Sequence, residues 1–469
     1  MLKPISKNQF DLYVFFTRQN WVELFNQEIA WYINEANTLW AVICLDKIDN
    51  NYTVIFCARD ENRQVRCIDL KIDIESFEAA KEFMDLHAQS LEKEIENPRK
   101  SKRKIVKDLF VPIAKSSKLD RYFQTISESP AHSAARNVIN EIMPHFFDVD
   151  GNFVQQFQTT GFDSRLWELY LFCYFNEEGL QINRKHFAPD FLLASGETEA
   201  SIEAVIVSNK NAKDVCSPFP QMEDIEQEEK IMPAKWGSSL YSKLTHVDKV
   251  GTHYWEYPHT KEKPFVIAIA DFHDAFSMTW SQSSLITYLY GFEYEHSFDL
   301  EGNLIVHPVK VATHPKGEGR NTIPSGFFFQ ENSENISAVL HSSCATISKF
   351  NRIGKQCGLD KNNVLMYRIV SVHDPAPNSA TPKIFRYMVT ESNSEPWAEG
   401  VMVFHNPNAK FPLPSDFFPN AAQCYLQDDM IHITSTNSIV YSSITYDFLE
   451  SSKLENFKKK LDEDHRAMK

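Results

Sequence analysis

The chain has 469 residues, 24% of them charged and 43% hydrophobic, with a formal net charge of −15. That length allows several domains with sizeable cores, and the acidity argues against a sequence-blind grip on nucleic acid over the whole surface while leaving room for a local basic channel. No apolar run reaches the roughly 18 residues of a membrane span, the N-terminus lacks the apolar core of a signal peptide, and eight scattered cysteines without a CxxC pair point to thiols in a reducing cytoplasm.

From Asn20, NWVELFNQEIAWYINEA carries helical periodicity. TLWAVICLDK, NYTVIFCARD and QVRCIDLKI follow as three strands between Asp/Asn-rich turns, and Ser76 caps a second helix, SFEAAKEFMDLHAQSLEKEI. These elements predict a small α+β domain over 1–98. The basic run Arg99 to Lys107 makes 99–108 a linker, and 109–291 a middle domain. The remainder, 292–469, is β-rich: NLIVHPVKVATH, SGFFFQ, ISAVLHS, KIFRYMVT and EGVMVFHNPNA precede a charged terminal helix. The acidic run Glu223 to Glu229 reads as a solvated loop.

The middle domain carries the candidate chemistry. GFDSRLWELYLFCYFNEEG places Leu166, Trp167, Leu169, Tyr170, Phe172, Cys173 and Tyr174 on a broad apolar helix that stops at Gly179, with Glu168 inside it. A short extended stretch at LQINRK is followed by PDFLLA, the turn SGETEAS, and SIEAVIVS. KWGSSLYSKLTH is then helical in pattern, and KPFVIAIADFH reads as a strand buried on both faces. Asp190 opens the second strand and Glu203 lies in the third, thirteen positions on. Two strand carboxylates facing one cleft offer hard oxygen donors suited to Mg²⁺ or Mn²⁺. The plain alternative makes them exposed strand residues, with Glu168 on a surface patch.

This order of elements, with an acid on the first helix, Pro-Asp on the second strand and an acid on the third, resembles the PD-(D/E)XK nuclease superfamily. The resemblance implies an α/β, restriction-endonuclease-like core with a mixed sheet flanked by helices, in a chain that is α+β overall. It assigns Asp190 to the PD element, Glu203 to the (D/E)XK acid and Glu168 to the helix acid, as metal ligands and catalytic groups. Val205 stands where the superfamily has its lysine. Some members supply that base from the next helix, where Lys235 and Lys243 lie eight apart with Ser239 between them. Lys243 is the expected substitute, with Lys235 as the other candidate. QFQTTGFDSRLWELYLF, GSSLYSKL, KPFVIAIADFH and FHNPNAKFPLP also resemble a group of bacterial proteins of similar length, which implies a shared architecture.

The implied activity is Mg²⁺-dependent phosphodiester hydrolysis of nucleic acid, DNA before RNA, in a prokaryotic restriction or defence setting. The alternative is a protein that keeps the nuclease fold as a binding scaffold without the chemistry; Val205 and the net charge favour it. No membrane partner is expected, and a homodimer stays open. His246, His253, His259 and His273 match no zinc spacing, and HPKGEGRN lacks a phosphate-loop ending. Asn406 and Asn408 read as turn formers. Trp236, Tyr241, Tyr254 and Trp255 serve either as stacking platforms for bases or as core.

Overall fold

A computed structural model describes residues 2–18, 22–95, 108–149, 151–208, 222–317 and 321–467, without the side chains of 222–227 and 464–467. The chain divides into two units. The first is Met1–Phe147 with Phe350–Val364 and Val389–Ser394; the second is Asp148–Lys349 with Leu365–Met388 and Glu395–Lys469. The architecture is mixed α/β, as composition and pattern predict.

In the first unit, strands Leu2–Ile5, Asn26–Asn34, Leu39–Asp46, Tyr52–Arg59 and Val65–Ile74 form one antiparallel sheet in chain order. The three predicted strands are its last three. The predicted helix from Asn20 is a correction: only Val22–Phe25 is helical, and Asn26–Asn34 is a strand. Its alternation wins because both of its edges are paired. Tyr32 enters one core while Trp31 and Ile33 enter the core on the opposite face. A helix that the periodicity did not suggest, Lys7–Val14, starts at a capping box of Ser6 and Gln9. Ser76 does cap the helix Phe77–Glu94, accepting from the Ala79 amide. That helix buries Ala80, Met84, Ala88 and Leu91 against Leu39, Ala41, Ile43, Val54 and Phe56.

The second unit is built on a sheet of eight strands. In chain order its elements are α1 (Phe162–Glu177), β1 (Gln181–Asn183), β2 (Phe191–Ser195), β3 (Thr198–Ser208), α2 (Met222–Leu244), β4 (Phe265–Phe272), α3 (Gln282–Tyr290), β5 (Ala338–Ser342), β6 (Val401–His405), β7 (Ala422–Gln427) and β8 (Met430–Thr434). The strands lie side by side in that same order. β1, β2 and β3 form an antiparallel meander, while β3, β4 and β5 run parallel. A helix is therefore needed to return the chain between β3 and β4, and α2 supplies it.

Register settles which side each residue faces. Phe191, Ile202 and Val266 share one face through the pairs Phe191 with Ile202 and Ile202 with Val266, and Phe175 of α1 packs edge-on against Phe191 at 5.2 Å. Glu203 and Val205 share the opposite face with Ile267 and Ile269. There Met232, Trp236, Leu240 and Leu244 of α2 and Leu285 and Leu289 of α3 build the core. α1 has buried apolar residues all round, as read from its sequence, and Gly179 at φ 76° ends it.

The predicted domain boundaries move. The first unit runs to Phe147 rather than 98, and the C-terminal region is no separate domain, because its strands β5 to β8 extend the sheet begun at Gln181. An open strand edge demands a partner, and which segment supplies it is a long-range matter. Apart from Asp108, the expected linker lies outside the described residues. The acidic run 223–229 belongs to α2 rather than to a loop; glutamates are good helix formers, and they carry the helix on through Pro233. SGFFFQ forms a 3-10 turn at Phe327–Phe329, because Gly326 at φ 71° turns the chain there. Leu304–Lys310, Lys383–Met388 and helix Ser451–Ala467 occur where expected. No helix among the described residues is long and apolar enough to cross a membrane.

Candidate active site

The β2–β3 hairpin turns through Gly196 at φ 58°, with Ser195 paired to Thr198. The register that sets Phe191 opposite Ile202 brings Asp190 beside Glu203 at the open end of the hairpin. Asp190 is half-buried, and its Oδ2 accepts the Ala204 amide at 2.8 Å. Glu203 points toward the α2 side. Its Oε1 receives Lys243 Nζ at 2.6 Å, and the Tyr254 hydroxyl donates to the same carboxylate. Lys243 also sits over the Tyr254 ring, 5.7 Å from its centroid.

Glu168 reaches the site from α1, on the other side of the sheet. Arg165 donates to its Oε1 at 2.6 Å and Arg184 to its Oε2 at 3.2 Å. Both glutamates are only 6% exposed. Burial first, and the Asp190 charge second, raise the Glu203 carboxyl to about 7, against the pull of Lys243 and Tyr254. Burial and Asp190 likewise raise Glu168 to about 7, against Arg165 and Arg184. Asp190 is thus an electrostatic neighbour of both glutamates, in an acid cluster divided by the sheet: Glu203 with Lys243 on the α2 side, and Glu168 with Arg165 and Arg184 on the other. Carboxyls raised by burial toward neutral pH, next to fixed cations, can exchange protons at working pH.

Of the predicted site residues, Lys243 is joined to Glu203 by an ion pair and Asp190 lies beside Glu203 across the hairpin, while Glu168 lies on the other side of the sheet with Arg165 and Arg184. The structure separates Lys235, whose Nζ is 2.5 Å from Glu228 Oε2, far down α2 from Glu203. Ser239, between the two lysines, donates to the Ile206 carbonyl at 3.1 Å and so ties α2 to β3. Val205 faces the same side as Glu203 but packs against the α2 core. Glu168 is not presented as an open metal ligand, because both its oxygens are held by arginines. Among the described residues no three His, Cys, Asp or Glu side chains form a group set to hold a metal ion.

The sequence does not single out Arg165 or Arg184, and it offers Tyr254 only as a stacking platform or core, not as a partner of Glu203. Arg165 sits three residues before Glu168 on a predicted helix, a spacing that signals an ion pair. Arg184 ends the short extended stretch, and nothing local marks Tyr254. Of the other candidates, Trp236 is core at 0% exposed while Tyr241 is exposed at 54%. His273 bonds Asp271 through Nδ1 at 2.6 Å, and His259 Nε2 donates to the Ala188 carbonyl at 2.8 Å. Asn406 and Asn408 brace loops through the carbonyls of Ser333, Ile336 and Phe328. His314 lies in the strand Thr313–Pro315, and 318–320 of the HPKGEGRN stretch lie outside the described residues.

No family model, no curated protein and no solved structure matches the chain. Its function is therefore argued from this cluster.

Proposed function

We propose that the chain is a metal-dependent phosphodiesterase acting on nucleic acid, with DNA as the first substrate to test. The observation that carries this reading is the meeting of Asp190, Glu203 and Lys243, drawn from two strands and the following helix, at the position where Val205 leaves a lysine missing. The element order, with an antiparallel three-strand meander and a fourth strand parallel to the third, agrees with the restriction-endonuclease-like core that the motifs imply.

The donor set fits a small hard cation. Mg²⁺ is commonly held by only one or two protein carboxylates and keeps several waters, and Asp190 and Glu203 provide two adjacent carboxylates whose repulsion a cation would relieve. When bound, such an ion activates a water and offsets charge on a scissile phosphate. Glu203 would hold that ion as a carboxylate, its charge balanced by the ion and by Lys243. Lys243 steadies the nucleophile or a phosphate oxygen. Tyr254 fixes the Glu203 carboxylate, and Arg165 and Arg184 bring positive charge to a chain that is acidic overall.

A second reading has its own observation: every acid of the cluster is already satisfied, Glu203 by Lys243, Glu168 by two arginines and Asp190 by an amide. A fold that balances its charges internally suits a scaffold without hydrolysis. Cleavage of plasmid, linear and single-stranded DNA, and of RNA, with Mg²⁺ or Mn²⁺ separates the two. Wild type is expected to cleave at least one, and Asp190→Ala to lose at least about a hundredfold in rate, the scale of a lost charge-stabilising group. Equal rates in both proteins, or none in either, would sink the enzymatic reading.

A further inference from the structure

The segments that bracket the acid cluster carry a set of flat rings stacked on one another, from the buried Tyr254 out to the exposed His186. His186, four residues before Asp190, lies on His259 with centroids 3.9 Å apart and planes 14° from parallel, and Tyr257 continues that column at 5.5 Å and 6°. His253 lies on Trp255 at 4.6 Å and 8°, and His246 on Tyr254 at 4.8 Å and 18°. Two contacts tie these rings to the site: His259 donates to the carbonyl of Ala188, and Tyr254 donates to Glu203. His186 is exposed, and Phe187 beside it is 84% exposed, the most open aromatic side chain among the described residues of the second unit.

Phe187 and His186 thus present flat ring faces to solvent that a planar partner can cover. Their surroundings indicate the partner's charge. Lys185 immediately precedes the lip and is exposed, as is Lys249 in the loop that carries His253 and His259. Two acids of that loop are engaged with main chain, Asp248 accepting the Val250 and Thr252 amides and Glu256 the His253 amide, while Glu262 lies 3.9 Å from Lys261. Exposed rings interleaved with cations beside a phosphodiesterase-like cluster match the chemistry of unpaired bases on an anionic backbone. Paired bases are already stacked inside a duplex and cannot offer their faces to such rings.

We propose that His186, Phe187 and the ring columns beside them are a stacking platform for an unpaired nucleic-acid strand, so that the site takes single-stranded or locally melted substrate. This rests on the phosphodiesterase reading for its setting, but it concerns binding and is tested without catalysis. Fluorescence anisotropy in EDTA at low salt would compare a labelled twelve-nucleotide oligothymidylate, its uridylate counterpart and a twelve-base-pair duplex. Wild type is expected to bind at least one single strand about tenfold more tightly than the duplex, the preference that base–ring stacking supplies. The double variant His186→Ala/Phe187→Ala is expected to lose that preference with duplex affinity unchanged, and Phe187→Trp to keep it. Both alanine positions are exposed, and an unchanged melting temperature confirms that the variant is folded. Duplex affinity equal to single-strand affinity, or no loss in the double variant, would overturn the platform. Single-strand binding that survives while no cleavage is seen with Mg²⁺ or Mn²⁺ would overturn only the catalytic reading, and cleavage without strand preference only the platform.

Discussion

Lys243 and Val205 approach the Glu203 neighbourhood on the same side of the sheet with different outcomes. Val205 is directed at the α2 core, where a lysine would bury its ammonium among apolar groups, while Lys243 approaches the Glu203 carboxylate from the helix with 22% of its side chain still exposed. Replacing it with methionine leaves Glu203 buried with only Tyr254 to satisfy it. Lys243→Met is expected to abolish cleavage and to cost about 1–3 kcal/mol in urea unfolding, the usual penalty for a buried polar group left short of partners. Glu178 offers a test by pH. At the end of α1 it accepts the Asn420 amide at 3.2 Å and its side-chain NH₂ at 3.0 Å, yet burial pushes its carboxyl from 4.5 up to about 7. The folded protein then holds the proton more tightly than the unfolded chain, so this group's contribution is full below 4.5 and is lost as pH rises to about 7. Glu178→Gln keeps the acceptor without the charge. It is expected to melt about 2–4 °C above wild type at pH 8 and level with it at pH 4, as scanning calorimetry would show.

The elements that position the site owe their placement to a few close contacts. Gly237 of α2 lies so near α3 that an added Cβ would meet the Tyr288 hydroxyl at 2.8 Å and Ile323 Cδ1 at 2.9 Å. Alanine is the better helix former by about 1 kcal/mol, but here it must push a tyrosine ring buried in the core. Gly237→Ala is expected to destabilise by about 1–3 kcal/mol and, by tilting α2, to lower cleavage through the Lys243–Glu203 alignment. Faster or unchanged cleavage with a raised denaturation midpoint would contradict this account. The helix α1, the hairpin, α2 beyond Pro233 and β4 were legible in the sequence, because each has a strong apolar pattern and a clear stop. Asn26–Asn34 was not, since its apolar residues fit both periods until a sheet edge chose between them. The upstream half of α2 was misread for a related reason: a charge run says nothing of backbone conformation when no apolar face accompanies it.

At the scale of the molecule, the two units follow contact rather than chain order. Gly354 comes so close to Ala134 that an added Cβ would stand 2.5 Å from its carbonyl oxygen, and Asn351 bonds the Ala135 amide and the Ala131 carbonyl. A fragment ending at Phe147 lacks these partners. It is expected to melt without cooperativity by circular dichroism, although it contains the whole five-stranded sheet. The cysteines give a second test. Of the seven described, all thiols, only Cys67 is exposed, and burial raises Cys44, Cys173, Cys357 and Cys424 above the usual thiol range. With Cys216 changed to serine, a thiol reagent should titrate one fast equivalent in the native protein and, from the eight cysteines less that one, seven in denaturant.

Taken by itself, the sequence determined the mixed α/β class, the helix carrying Glu168, the hairpin with Asp190 and Glu203, and the helix that carries Lys243. These are short-range matters: apolar periodicity, turn formers and helical spacing are properties of neighbouring residues. Only the tertiary structure decided that strands drawn from 338–434 complete the sheet begun at Gln181, that Arg165 and Arg184 occupy Glu168, and that Tyr254 reaches Glu203 from a loop fifty-one positions on. Strand pairing and buried charge compensation join residues far apart in the chain, and no local pattern records which distant partner a strand edge or a buried carboxylate will meet.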